Sequence, residues 1–450
     1  MNKVSFLTVI FLITGIIDFL PVKAEKIHLS QVPNSTNLES LKPPSKIVID
    51  IVATQEKTWK KDYENYLGGT YSQVLMSAKA TTSTLRRIEK ETGYKSAVIY
   101  LIPNDKQLKI ILVTPNNDPI YKSIPAANKT ALLKVAKEFQ TELHDVRKID
   151  TTSYLSSAQQ LYQWLIAPIA NDLKTQDIDT LVFCVGAGLR SLPFSALHDG
   201  QKFLVENYNI SLIPAFSLTD TRYTNIRDFS VLAMGASKFQ DLEPLPAVPI
   251  ELSTIVQNKG GTRFLNDKFT VENLRSQRQQ KSYKIIHLAT HGVFQPGAVN
   301  NSYIQLWNTK LRLNQLSRLR LNTPPVDLLV LSACKTALGD RQAELGFSGL
   351  ALEAGVKSAL GSLWSVSDAG TLALMTEFYT HLKTSPIKSE ALRQAQVEML
   401  NGQIHIENGQ LRLVAQRSAT PLPPEIAQLG NFNLSHPYYW AGFTMIGSPW

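Results

Sequence analysis

The sequence predicts an α/β fold in which a largely parallel sheet is flanked by helices. Three observations predict it. From Asp228 onward, short apolar runs alternate with segments whose apolar residues recur at helical spacing. Strands joined by helical crossovers take the right-handed connection and lie parallel. Two of these runs, KIIHLATHGVF (284–294) and VDLLVLSACKTALGD (326–340), lead directly into reactive side chains. That is where an open α/β sheet collects its functional groups, beyond the carboxyl ends of its strands. Finally, 44% of residues are hydrophobic and 18% charged, the make-up of a globular chain with a sizeable core. At 450 residues, two or three domains are expected.

The N-terminal segment stands apart. Residues 1–3 are basic, 4–17 almost unbroken apolar, and Val22-Lys23-Ala24 makes a small-residue cleavage site. This is the three-part pattern of a signal peptide, cleaved after Ala24. The expected location is therefore periplasmic or secreted. An uncleaved membrane anchor is the alternative, but the apolar run is short for a full span. Cleavage would remove two cations and one anion, taking the net charge from +9 to +8. Residues 25–44 are polar with several prolines and read as a linker. Lys and Arg are scattered, with no dense run or interleaved aromatics, so nucleic acid is not an expected partner. The two cysteines, Cys184 and Cys334, make no disulfide framework, although a bond between them stays open. Cysteine and histidine at zinc spacing are absent, and no metal is expected.

In chain order, 46–53 (KIVIDIVA) reads as a strand and 71–91 as a helix ended by Gly93. Residues 97–102 and 108–113 form a hairpin across PNDKQ, with 120–124 as a third strand. Residues 132–146 and 156–173 have helical spacing. The strand 180–185 enters GAGLRSLPFSALHDG, where the Gly-Ala-Gly lacks the third glycine of a dinucleotide fingerprint and Pro193 would interrupt the helix; a packed turn is the reading. Strands follow at 230–234, 263–265, 284–289, 303–307, 327–333 and 358–364. Helices are expected at 249–257, 271–279, 345–354, 369–382 and 390–400, with a helical turn at 314–319. Residues 411–424 read as a loop, and 441–446 as a final strand.

The chemistry centres on His291 and Cys334. An ordinary thiol is mostly protonated at neutral pH, and a nearby imidazole can take its proton and later hand it to a leaving amine. His291 lies 43 residues before Cys334, an order and separation that suit the caspase arrangement. Gly292 lets backbone approach a substrate carbonyl, so the amides of Gly292 and Cys334 are the candidate oxyanion donors. His287, inside the apolar run, reads as a buried or supporting group. Against this stand the plainer readings: a cysteine packed as a small hydrophobe and a histidine in a turn. Ser195 as a serine nucleophile lacks the G-x-S-x-G elbow.

With these motifs in view, IIHLATHGVF, LLVLSACKTALGD, ALEAGVKSALGSLWSVSDAGT and the terminal HPYYWAGFTMIG resemble the CHAT domain, and LRSLPFSALHDGQKFLVENYNISLIPA matches upstream. The resemblance spans residues 45–447. It implies a caspase-like, clan CD cysteine peptidase fold with His291 and Cys334 as dyad. It further implies an N-terminal pseudo-caspase half, 45–227, and a catalytic half, 228–450. Protein or peptide substrates are implied, with no obligate cofactor, and no D-x-D-x-D-G calcium loop is present. Many family members carry tetratricopeptide repeats, but no 34-residue repeat precedes the motifs here. Cyanobacteria are rich in the family, which suggests the source. Related peptidases often take a basic residue before the cut in an acidic pocket. Asp368, then Asp340 and Glu344, are the candidate pocket acids, each with a helix cap or solvated charge as the alternative. A catalytically silent member that uses its cleft to hold a partner is the rival function.

Overall fold

The first described helix, α1 (Ser45–Leu67), buries one stripe: Val48, Val52, Glu56, Trp59, Tyr63 and Leu67. This spacing is a helix face, and it replaces the strand expected at 46–53. KIVIDIVA is too short a window to separate alternation from helical spacing; the stripe becomes clear only when read on to Leu67. The computed structural model describes residues 45–71, 76–414 and 419–450. The signal-peptide and linker expectations for 1–44 lie outside these residues.

Helix α2 (Ala78–Thr92) starts at Ser77, whose side chain accepts from the Ala80 amide, and ends at Gly93 in the left-handed region, φ 79°. Strands β1 (Ser96–Pro103) and β2 (Leu108–Val113) form the expected hairpin, and β3 (Ile120–Ile124) extends it. Asn104 shapes the turn by accepting from the amides of Lys106 and Gln107. Helix α3 (Lys129–His144) is capped by Asn128. The single helix expected over 156–173 is two, α4 (Leu155–Leu165) and α5 (Ala167–Thr175). Pro168 has no N–H to give, and its ring clashes with the preceding turn, so the chain restarts there. Strand β4 (Thr180–Val185) follows, then α6 (Leu204–Asn207) and β5 (Asn209–Ile213), the last of which the sequence reading omitted.

The second half alternates as expected: β6 (Val231–Gly235), α7 (Val248–Lys259), β7 (Gly261–Leu265), α8 (Val271–Gln280) and β8 (Ile285–Phe294). Two short strands, β9 (Tyr303–Gln305) and β10 (Lys310–Arg312), precede β11 (Leu328–Thr336). The helix expected at 345–354 is α9 (Arg341–Ser348) and α10 (Leu350–Ala354), broken at Gly349. Strand β12 (Ser358–Ser362) leads to α11 (Asp368–His381) and α12 (Lys388–Leu400). The loop expected at 411–424 instead contributes to a small four-stranded sheet made of β13 (His405–Glu407), β14 (Gln410–Arg412), β15 (Thr420–Pro421) and β16 (Phe432–Asn433). Helices α13 (Pro424–Ala427) and α14 (Pro437–Trp440) flank it, and β17 (Phe443–Gly447) comes last.

Among the described residues, thirteen strands make one sheet, ordered β10-β9-β8-β11-β12-β17-β5-β4-β1-β2-β3, with β6 and β7 alongside β8. Strand β17 lies at the centre, antiparallel to β12 and parallel to β5, so a single sheet runs through both halves. Successive residues of β1 and β4 divide between its faces. Val98, Tyr100, Val182 and Cys184 pack with α1 and α2, while Ile99, Leu101, Phe183 and Val185 join a second core with α3 to α5. The described residues form one compact unit. No helix among the described residues is long and apolar enough to cross a membrane.

Candidate active site

The two reactive residues come together through β8 and β11. These strands pair in parallel from Ile285 opposite Leu328 to Leu288 opposite Leu331. The register then slips: His291 stands opposite Ala333, and Gly292 opposite Cys334. Strand β8 carries one residue more than β11 over this interval, a β-bulge. Both strands continue past the reactive residues, to Phe294 and Thr336, instead of ending before them at 289 and 333 as the apolar runs suggest.

The bulge decides which way the side chains point. A Cβ placed on Gly292 would lie 3.0 Å from Cys334 Sγ, so the thiol occupies the face of Gly292. Neighbouring residues of a strand point to opposite faces, so His291 projects from the other. Its Nε2–H donates to the Glu243 carbonyl at 2.8 Å, and its ring packs edge-on against Phe239, centroids 4.7 Å apart. Burial lowers the imidazole pKa, opposed by the Glu243 carbonyl. No hydrogen bond joins His291 to Cys334 among the described residues.

Cys334 is 1% exposed. It sits beside Gly361 of β12, where an added Cβ would lie 3.5 Å from the sulfur and 3.2 Å from the Phe347 ring of α9. The thiol's polar contact is the Leu331 carbonyl at 3.6 Å. Burial pushes its pKa up to about 12, with the contact to Ser362 drawing it back. Ser362 Oγ accepts from the Cys334 amide at 3.1 Å and donates to the Cys334 carbonyl at 3.2 Å. The amide expected as an oxyanion donor is thus engaged by a side chain the sequence reading did not single out. Gly292 is paired with β9 on one side and β11 on the other. Both cysteines are free thiols, and they belong to separate cores.

The other candidates fall around this pair. Asp340 caps α9, accepting from the amides of Gln342 and Ala343. Glu344, one turn on, is fully buried and accepts from Ser191 Oγ at 2.5 Å and the Gly188 amide at 2.7 Å. It ties α9 to the Gly-Ala-Gly loop, and burial raises its pKa. Asp368 is the first residue of α11; Ser367, not Asp368, is the cap. The Asp368 carboxylate accepts from the Ala247 amide at 2.5 Å. Burial raises its pKa to about 7 against that hydrogen bond, and the charge of Glu251 adds to the rise. His287 is fully buried, with Nε2 2.9 Å from Glu251 and Nδ1 3.2 Å from the Tyr379 hydroxyl. Ser195 is buried, and its hydroxyl donates to the Ala441 carbonyl at 3.5 Å. For a cation, Glu377, His381 and Glu398 offer ligand atoms within 4.8 Å of one another on α11 and α12, where His381 and Glu398 already pair at 2.9 Å.

The architecture defines a caspase-like α/β fold. The sequence model of the CHAT domain matches residues 155–448, more than half of the chain, and the chain belongs to that family. No curated protein matches the sequence. Among solved structures, two crystal structures of the Saccharomyces cerevisiae separase–securin complex each contain a similar chain. In each case the TM-score is 0.51 and identity 11%, over 91% of this chain and 34% of the other. At that identity the likeness concerns the fold. This chain spans about a third of the length of the one it resembles.

Proposed function

We propose that this chain is a caspase-like cysteine endopeptidase, described here in a latent conformation, that cuts protein substrates through His291 and Cys334. One observation carries the reading: a histidine and a cysteine sit one register position apart on paired parallel strands, at the carboxyl-terminal edge of the sheet. In the reaction, His291 takes the Cys334 proton and the sulfur attacks the scissile carbonyl carbon. The C–N bond breaks as His291 returns the proton to the leaving amine, and water then releases the acyl group from sulfur. In the described conformation the sulfur is held as a thiol, with roughly 0.003% ionised at pH 7.5 for a pKa near 12. Activity therefore requires a rearrangement that brings both side chains to one face. The buried thiol and turned-away imidazole also favour a second reading, a catalytically silent module that binds a partner.

The test is residues 25–450 under reducing conditions, beside Cys334→Ala and His291→Ala. Each is incubated with a diverse peptide library and with a thiol-directed peptide probe, and cuts and labels are mapped by mass spectrometry. Cuts made by the wild type alone, with label on Cys334, support the peptidase. Empty maps together with an unlabelled Cys334 leave the binding module standing in its place.

A further inference from the structure

We propose that the cavity at the carboxyl ends of β11 and β12 is a subsite for an acidic side chain of the peptide substrate. This rests on the peptidase reading above and deepens it. The cavity holds about 360 Å³ and is lined by Lys335 and Thr336 from the end of β11, Trp364 and Ser365 beyond β12, and Lys137 and His144 from α3. Lys335 directly follows the nucleophile in sequence. The cavity therefore opens at the same strand end that carries Cys334.

Two independent features point to an anion. The first is charge. Lys137, His144 and Lys335 are exposed basic side chains, and the lining holds no carboxylate. None of the three forms an ion pair among the described residues. His144 is fixed by its Nδ1 contact to the Gln140 carbonyl at 2.7 Å. The second is an unmet hydroxyl. Thr336 is 5% exposed, yet its Oγ1 has no hydrogen-bond partner although the residue lines the cavity. A buried unpaired hydroxyl costs free energy that an incoming acceptor removes. A carboxylate meets the first need directly, its charge held by the two ammonium groups, and meets the second once the Thr336 side chain turns its covered hydroxyl toward the cavity. The buried Trp364 indole, donating to the Tyr438 carbonyl at 3.0 Å, makes a firm wall. The pocket's charge is opposite to the one expected of related peptidases, and Asp340, Glu344 and Asp368 are not among its lining residues.

The experiment compares cleavage maps of the wild type and the Lys137→Glu/Lys335→Glu double variant, with thermal melting of both as a control for folding. The expected result is Asp or Glu enriched beside the cut for the wild type. The double variant should lose acidic peptides by about tenfold or more and gain basic ones. Cys334-dependent cuts with no acidic enrichment, or an unchanged map for a folded double variant, overturn the subsite while leaving the peptidase intact. If the wild type cuts nothing, fluorescence anisotropy of Asp-, Ala- and Lys-containing peptides on Cys334→Ala decides the pocket alone. Tighter binding of the Asp peptide, abolished by charge reversal, supports it; equal binding of all three overturns it. Single variants Lys137→Gln and Lys335→Gln serve if the double variant fails to fold.

Discussion

A thiol kept protonated by its surroundings reacts slowly with electrophiles, and Cys334 is such a thiol. In the native protein at pH 7.5, iodoacetamide should modify it about a thousandfold more slowly than an ordinary exposed cysteine. In urea the difference should vanish, and fast native labelling would show that the described conformation is not the resting one. Asp368 gives a second test. Its carboxyl titrates near 7 in the folded chain against about 3.9 unfolded, so the folded state holds a proton the unfolded state releases. The resulting stabilisation is full below about pH 4 and is lost as pH rises through 7. Asp368→Asn keeps an acceptor for the Ala247 amide and cannot ionise. Between pH 4.5 and 8 it should lose on the order of 2–4 kcal/mol less stability than the wild type in urea titrations. Equal slopes would show that Asp368 is solvated. At this scale, sequence reading located His291 and Cys334 because apolar runs lead into them. It could not place Ser362 at the Cys334 backbone or Glu243 at the imidazole, since both contacts join distant segments by folding alone.

Among elements, α9 is held by one buried carboxylate. Glu344 links it to Ser191 and Gly188 in the loop after β4, with the buried Arg190 guanidinium contributing to the same electrostatic environment. Glu344→Ala should cost about 2–4 kcal/mol in urea unfolding, because it strands a hydroxyl and an amide and leaves Arg190 less compensated. Glu344→Gln should cost clearly less. A cost near zero for the alanine variant would mean that water replaces the carboxylate. The sequence showed Glu344 only as an acid near the cysteine. Its partners lie more than 150 residues away, and nothing local marks a carboxylate as buried. Element type was legible wherever the window was long. It failed at KIVIDIVA, where β-branched residues lie on a helix face, and across Pro168, where the apolar spacing runs on although the backbone cannot.

For the whole molecule, β17 is the seam. It reaches β12 on one side and β5 on the other, and Ser211 Oγ of β5 donates to the Gly447 carbonyl at 2.7 Å. Gly447 has φ 88°, and a Cβ there would lie 2.5 Å from the Lys357 carbonyl. Gly447→Ala should therefore destabilise by about 1–3 kcal/mol or more, and it should do so for both halves at once. The check is coincidence of thermal transitions by far-ultraviolet circular dichroism and tryptophan fluorescence. Two separated transitions would mean that the halves fold independently. The parallel character of the sheet was legible from strand and helix alternation. The central place of a strand from the far end of the chain was not, because strand order carries no local signature.

The extra residue in β8 has a consequence of another kind. Had the pairing of Leu288 with Leu331 continued unbroken, His291 would stand directly opposite Cys334, and both side chains would share a face. The chain lengths already match: three steps lead from Leu288 to His291 and three from Leu331 to Cys334. Passing the extra residue of β8 further along the strand would bring the two side chains together with nothing added or removed. Deleting one residue between Leu288 and His291 would instead straighten β8 and leave the histidine opposite Ala333, so the misalignment belongs to the pairing and not to the length of either strand.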